Sequence, residues 1–100
     1  MVKTAFMTLK SPQEHDLSEM VGRLSEKDDA HVILFEDAVY NALDPRWAGR
    51  LSEVSAEVHV AKDDLEARGF SESDLRIGEA TDYDGIVDVI MEKTERTVTL

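Results

Sequence analysis

Short apolar runs recur along the chain, and several are followed by apolar residues spaced three and four apart. Runs of the first kind mark strands covered on both faces, and the second spacing marks helices with one buried stripe. Residues 2–8 form the first run. Ser11, Pro12 and Glu14 then predict a helix start: a capping hydroxyl, a proline at the first helical position and an acid that completes a capping box. Leu17, Met20, Val21 and Leu24 follow at i, i+3, i+4 and i+7, and Glu26-Lys27-Asp28-Asp29 reads as a closing polar turn.

Residues 30–35 are nearly all apolar and predict a second buried strand. Glu36 or Asp37 opens the next helix, Ala38, Val39, Ala42 and Leu43 give its apolar side, and Asp44-Pro45 breaks it. Trp47, Leu51 and Val54 suggest a further helical turn or two. Residues 57–61 predict a third strand. Asp63 and Glu66 suggest a second capping box, and the short helix over 65–68 stops at Gly69, which suits a left-handed cap. Residues 71–74 read as a turn and 77–80 as a weak fourth strand. Asp82 or Thr81 caps a last helix with Tyr83, Ile86, Val87 and Ile90 as its stripe. The β-branched end, residues 97–100, predicts a fifth strand.

Strands alternating with helices predict an α/β fold, a three-layer α/β/α sandwich around a mostly parallel five-stranded sheet, in one domain over residues 1–100. In such sheets ligands and partners meet the loops at the carboxyl ends of the strands. Here those loops begin at Thr8-Leu9-Lys10, Glu36-Asp37, Lys62-Asp63-Asp64 and Thr81-Asp82-Tyr83, and three of the four are acidic.

Composition narrows the chemistry. Twenty-two acidic against 11 basic residues give a net charge of −11, which disfavours direct contact with nucleic acid. The acid fits a solvated surface, salt adaptation or steering toward a basic partner. The opening Met1-Val2-Lys3-Thr4-Ala5-Phe6-Met7 turns polar too soon for a signal peptide, and no run approaches the ~20 apolar residues of a membrane span. A cytoplasmic protein is expected. The glycines form neither GxGxxG nor a P-loop, and no GxSxG elbow is present, so nucleotide binding and acyl transfer are disfavoured and no cofactor is expected.

His15, His31 and His59 show neither HxH nor HxxxH spacing, so they read as structural or surface residues and no metal is expected. Asp63-Asp64 and Asp82-Tyr83-Asp84 supply carboxylate pairs suited to acid/base work or a hard cation, but helix capping explains them more simply. Asp37 and Tyr40 lie one turn apart after a buried strand; they read as a binding pair, or as a cap beside an amphipathic tyrosine. Trp47 fits a core cover or an interface anchor. Tyr83, on the last apolar stripe, fits core or interface.

Four segments together resemble the DsrH/TusB family of sulfur-relay subunits. Lys10-Ser11-Pro12 resembles its opening motif. The run from Val32-Ile33-Leu34-Phe35-Glu36-Asp37 through Ala38-Val39-Tyr40-Asn41-Ala42-Leu43 resembles its strand-to-helix segment. Asp63-Asp64-Leu65-Glu66-Ala67-Arg68-Gly69-Phe70 resembles its third-strand helix and cap, and Asp82-Tyr83-Asp84-Gly85-Ile86-Val87-Asp88-Val89 its last helix. Order and spacing fit across nearly the whole chain. There are departures: Met20 stands where some members carry a cysteine, Ala38 where glycine is common, and Val98-Thr99-Leu100 where an aromatic often precedes the final leucine.

The resemblance implies a DsrEFH-like fold and assembly with DsrE/TusD-like and DsrF/TusC-like paralogues into a hetero-oligomer, with a DsrC/TusE-like protein as sulfur acceptor. The pathway would be tRNA 2-thiouridine synthesis or sulfur oxidation. Persulfide exchange needs a thiolate, and this chain has no cysteine. The expected role is thus a non-catalytic subunit of a sulfurtransferase complex. Glu36, Asp37 and Tyr40 would line its partner face, with Asp63, Asp82 and Tyr83 beside them. The alternatives are a stand-alone homo-oligomeric module binding a small molecule or protein through the same edge, and an independent enzyme built on the Asp pairs.

Overall fold

The computed structural model describes residues 2–100; Met1, with which the signal-peptide reading begins, lies outside them. Five strands, β1 (Thr4–Thr8), β2 (Ala30–Leu34), β3 (Glu57–Ala61), β4 (Glu79–Thr81) and β5 (Arg96–Thr99), pair in parallel in the order β4-β3-β2-β1-β5. The sheet is entirely parallel, and each strand falls within about two residues of its predicted run. The helices are α1 (Leu17–Leu24), α2 (Tyr40–Leu43), α3 (Pro45–Val54), α4 (Lys62–Ala67) and α5 (Tyr83–Asp88).

Handedness decides which face each helix covers. The chain steps from β1 to β4 in one direction, so right-handed crossovers place α1 to α4 on one face. The step from β4 back past β1 to β5 runs the other way and puts α5 on the opposite face. The cores follow this division. Phe6, Val32, Leu34, Val58 and Val60 pack with Leu17, Val21, Leu51 and Leu65 on the first face. Ala5, Ile33 and Ala61 pack with Ile86 and Val89 on the second. One helix cannot cover five strands, so the second face is left partly open and Thr97 and Thr99 of β5 are exposed.

Three local predictions differ from the structure. Ser11 and Glu14 do meet, with the Ser11 hydroxyl 3.3 Å from Glu14 Oε1, but they close an isolated turn. The helix begins at Leu17, because the extended backbone of Asp16 (ψ 90°) interrupts the turn and its carboxylate caps the Glu19 N–H. The α1 stripe narrows to Leu17 and Val21, and Leu24 is exposed. The Asp63–Glu66 box does not form: α4 starts directly from Ala61 without a side-chain cap. Capping is as expected at Gly69 (φ 84°) and at Asp82, which accepts the Gly85 N–H at 2.8 Å.

Asn41 is buried, and its side-chain amide donates to the Ala38 carbonyl at 3.1 Å. The last helix widens into a π-turn over Val89–Lys93, and the Thr94 hydroxyl donates to the Val89 carbonyl at 3.0 Å. Among the described residues no helix is long and apolar enough to cross a membrane.

Candidate functional site

The connections leaving β3 and β4 diverge at their carboxyl ends, one into α4 on the first face and the other into α5 on the second. Such a divergence opens a crevice in a parallel sheet. Here it is a pocket of about 200 Å³ lined by Phe35, Ala61, Asp63, Asp64, Thr81 and Tyr83, among others. Its floor is apolar and its rim acidic. Tyr83, 75% exposed, stands at the edge of the pocket and leaves the stripe of its own helix to Ile86 and Val89.

The rim is held by side chains from neighbouring loops. Glu36, two residues past the end of β2, stands at φ 47°, a left-handed conformation that costs a non-glycine residue about 1–2 kcal/mol. Its N–H donates to Asp64 Oδ2 at 2.8 Å. The next acid, Asp37, accepts from Arg68 Nη2 at 2.9 Å and from Nε at 3.1 Å, while Arg68 Nη1 donates to the Asp64 carbonyl. The 3₁₀ turn Glu36–Val39 is thereby tied to α4. No thiol is present among these residues, and the groups on the rim offer charge and hydrogen bonding for recognition.

A family model described as DsrH like protein matches residues 10–96. The chain belongs to the DsrH-like family. That family works in sulfur relay, in complexes with DsrE- and DsrF-like partners. Among curated proteins, no sequence match to this chain was found.

The DsrH-like chain gathers some of the six sequence-predicted site residues and separates others. Asp63 and Tyr83 line the crevice together, and Glu36 and Asp37 flank it through Asp64 and Arg68. Asp82 is occupied in capping α5. Tyr40 faces another way, packing edge-on against Phe70 with ring centroids 6.1 Å apart. It lines a separate groove of about 350 Å³ with Pro12, Leu43 and Trp47. Trp47 is half-buried there, with the guanidinium groups of Arg46 and Arg50 over its ring at 5.3 and 4.8 Å. Asp64 and Arg68, which hold the rim in shape, were not among the six; a carboxylate and a cation four apart on a short helix carry no signal that they reach another loop.

Spacing also fails to show a second cluster in this DsrH-like chain. On the second face of the sheet, His31 of β2 pairs in register with Glu57 of β3, and His59 lies two residues further along on the same side. The result brings together two histidines that the linear pattern holds apart. Glu57 Oε1 lies 3.1 Å from His59 Nε2 and 3.6 Å from His31 Nδ1. Both imidazoles are buried and Glu57 is half-exposed. Burial is the largest influence on His31 and lowers its pKa below the usual 6.5, with Glu57 opposing and His59, Lys3 and Lys93 assisting. Burial alone would raise the Glu57 carboxyl; the His59 hydrogen bond and the neighbouring His31, His59 and Lys93 outweigh it and hold the group below 4.5. The alternation of Glu57 and His59 was visible in the sequence, but the register that brings in His31 was not.

Proposed function

We propose that this chain is a cysteine-free, non-catalytic subunit of a DsrEFH/TusBCD-like sulfurtransferase complex in the cytoplasm. It would complete the oligomer and shape the surface beside a partner's persulfide cysteine. One observation carries the reading: a DsrH-like chain of 100 residues without a cysteine has no atom that can hold persulfide sulfur. The sulfur must then ride on another subunit, with a DsrE/TusD-like paralogue as donor and a DsrC/TusE-like protein as acceptor. Both tRNA 2-thiouridine synthesis and sulfur oxidation fit such a relay.

The crevice rim is the docking edge in this reading. Tyr83 supplies a large exposed ring of the kind that anchors interfaces. Asp63, with Glu36 and Asp37 next to it, supplies negative charge that favours a basic partner surface. Acid placed beside a neighbour's thiol would raise that thiol's pKa, so these carboxylates serve docking rather than sulfur activation. Asp82 contributes by holding the loop that presents Tyr83.

Co-expression with the DsrE-like and DsrF-like proteins of the same organism tests this, with complex mass measured by size exclusion and light scattering. A mixed complex is expected. A chain that runs only as a monomer or homo-oligomer over a range of salt, with neither paralogue bound, overturns the reading and leaves a stand-alone binding module.

A further inference from the structure

The His31–Glu57–His59 cluster has no part in the docking edge. His31 Nδ1 is a buried nitrogen with no hydrogen-bond partner, and a buried polar atom left this way costs stability. His59 Nε2 points at the same carboxylate oxygen. On its other side, His59 Nδ1 lies 3.2 Å from the Thr81 hydroxyl and 3.6 Å from Glu79 Oε1. The Thr81 hydroxyl can itself donate to the Glu79 carbonyl at 3.4 Å, which leaves its lone pairs to accept from His59 Nδ1–H. Without an ion the same Nε2 donates to Glu57; with the proton on Nδ1 instead, the Nε2 lone pair, His31 Nδ1 and Glu57 Oε1 face one point that a cation can fill.

The geometry points to a metal site: His31 Nδ1, His59 Nε2 and one Glu57 oxygen form a three-ligand site for a divalent first-row transition ion, Zn²⁺ foremost, with a fourth position open to solvent. Ligand bonds of about 2.0–2.2 Å in a tetrahedral arrangement set neighbouring ligand atoms about 3.3–3.6 Å apart. The two ligand pairs at 3.1 and 3.6 Å lie close to that edge, and all three ligand atoms fall within 4.8 Å of one another. Two imidazoles and one carboxylate suit Zn²⁺ and its neighbours, whereas Ca²⁺ and Mg²⁺ prefer all-oxygen shells.

The surroundings are those of a built site. Thr81 and Glu79 support the outer nitrogen of His59, as outer partners orient metal-bound histidines elsewhere. Access comes from the amino ends of β3 and β4, where a groove of about 820 Å³ is lined by Glu57, His59, Glu79 and Asp28, among others. Lys3 and Lys93 lie near His31 and oppose an incoming cation; Glu57 and Glu79 offset them.

The test is titration of the full, chelator-stripped chain with Co²⁺, followed by visible absorption, and with Zn²⁺ by calorimetry. The expected result is one equivalent per chain, the absorption bands of a low-coordinate nitrogen–oxygen site, displacement of Co²⁺ by Zn²⁺, and no competition from Ca²⁺. Glu57→Gln keeps the side-chain shape at a half-exposed position, so it should fold and lose at least ~10-fold in affinity; Thr81→Val should lose ~10-fold without touching the ion. Glu53→Gln, on the exposed side of α3, should change nothing. Circular dichroism of each variant confirms that it is folded. No saturable binding, or binding that Glu57→Gln leaves intact, overturns the site and assigns any metal uptake to the acidic surface. The docking edge is a separate proposal, and neither result bears on it.

Discussion

The Glu36 N–H and the Asp64 carboxylate meet at 2.8 Å across 28 residues of chain, and Glu36 is held there at φ 47°. The bond fixes the turn after β2 against α4 and shapes one side of the carboxyl crevice. Asp64→Ala removes the acceptor and should cost about 1–2 kcal/mol. Glu36→Gly relieves the left-handed backbone, partly offset by the entropy of glycine, and should add about 0.5–1 kcal/mol. Urea unfolding of the two variants checks both signs; if Glu36→Gly destabilises, the strain reading fails.

Asp16 caps α1, and its carboxyl is held below the usual 3.8 chiefly by the Ser18 hydroxyl, against burial, which raises it and ranks next, with the Glu19 N–H and Arg50 assisting Ser18. A folded-state pKa below the unfolded one means that the unfolded chain takes up the proton first. The stabilisation is therefore complete above pH 3.8 and fades as the pH falls below it. Asp16→Ala should cost about 1 kcal/mol near neutrality. The gap between wild type and variant should close on acidification below pH 3.8, as followed by thermal melts across pH.

Gly78 sits at φ 75°, and a Cβ there would meet the Val58 carbonyl oxygen at 2.4 Å. That contact is with backbone, which cannot swing aside. Gly78→Ala should push β4 away from β3 and cost more than about 2 kcal/mol. Amide exchange should show the loss concentrated at residues 79–81.

Leu17 and Leu24 fall on one stripe in the linear pattern, but Leu17 is 1% exposed and Leu24 46%. Leu17→Ala should cost about 2–5 kcal/mol, and Leu24→Ala should stay within about 0.5 kcal/mol. Equal losses in denaturant unfolding would mean that α1 packs differently from its placement here.

Tyr83 is 75% exposed and Asp63 lies across the same crevice. Replacing both with Ala should leave stability within about 1 kcal/mol while weakening capture of the DsrE-like and DsrF-like partners. Co-purification yield together with a melting curve separates the two effects. Full assembly by the double variant would move the docking edge elsewhere, with Tyr40 and Trp47 next to test.

Some of the site was legible and some was not, and range along the chain explains the division. Asp82 capping the Gly85 N–H and Gly69 ending α4 at φ 84° involve residues a few positions apart, where side-chain chemistry and backbone sterics act directly. Tyr83 was misplaced on a helical stripe because spacing alone gives no view of where the sheet stops: α5 begins at the sheet's edge, so its first turn overhangs solvent. Tyr40 sits one turn after Asp37, yet it turns toward Phe70 and away from the crevice.

The sequence by itself determined the order of strands and helices, the parallel α/β class, the absence of cysteine and the DsrH-like family, since each is written in local pattern, composition or ordered motifs. The tertiary structure alone decided that α5 stands by itself on one face, that Asp64 supports Glu36, and that His31 lies opposite Glu57. These depend on crossover direction and strand register. A shift of one residue in the β2–β3 pairing would send His31 and Glu57 to opposite faces, and only the packing of both cores together fixes that register.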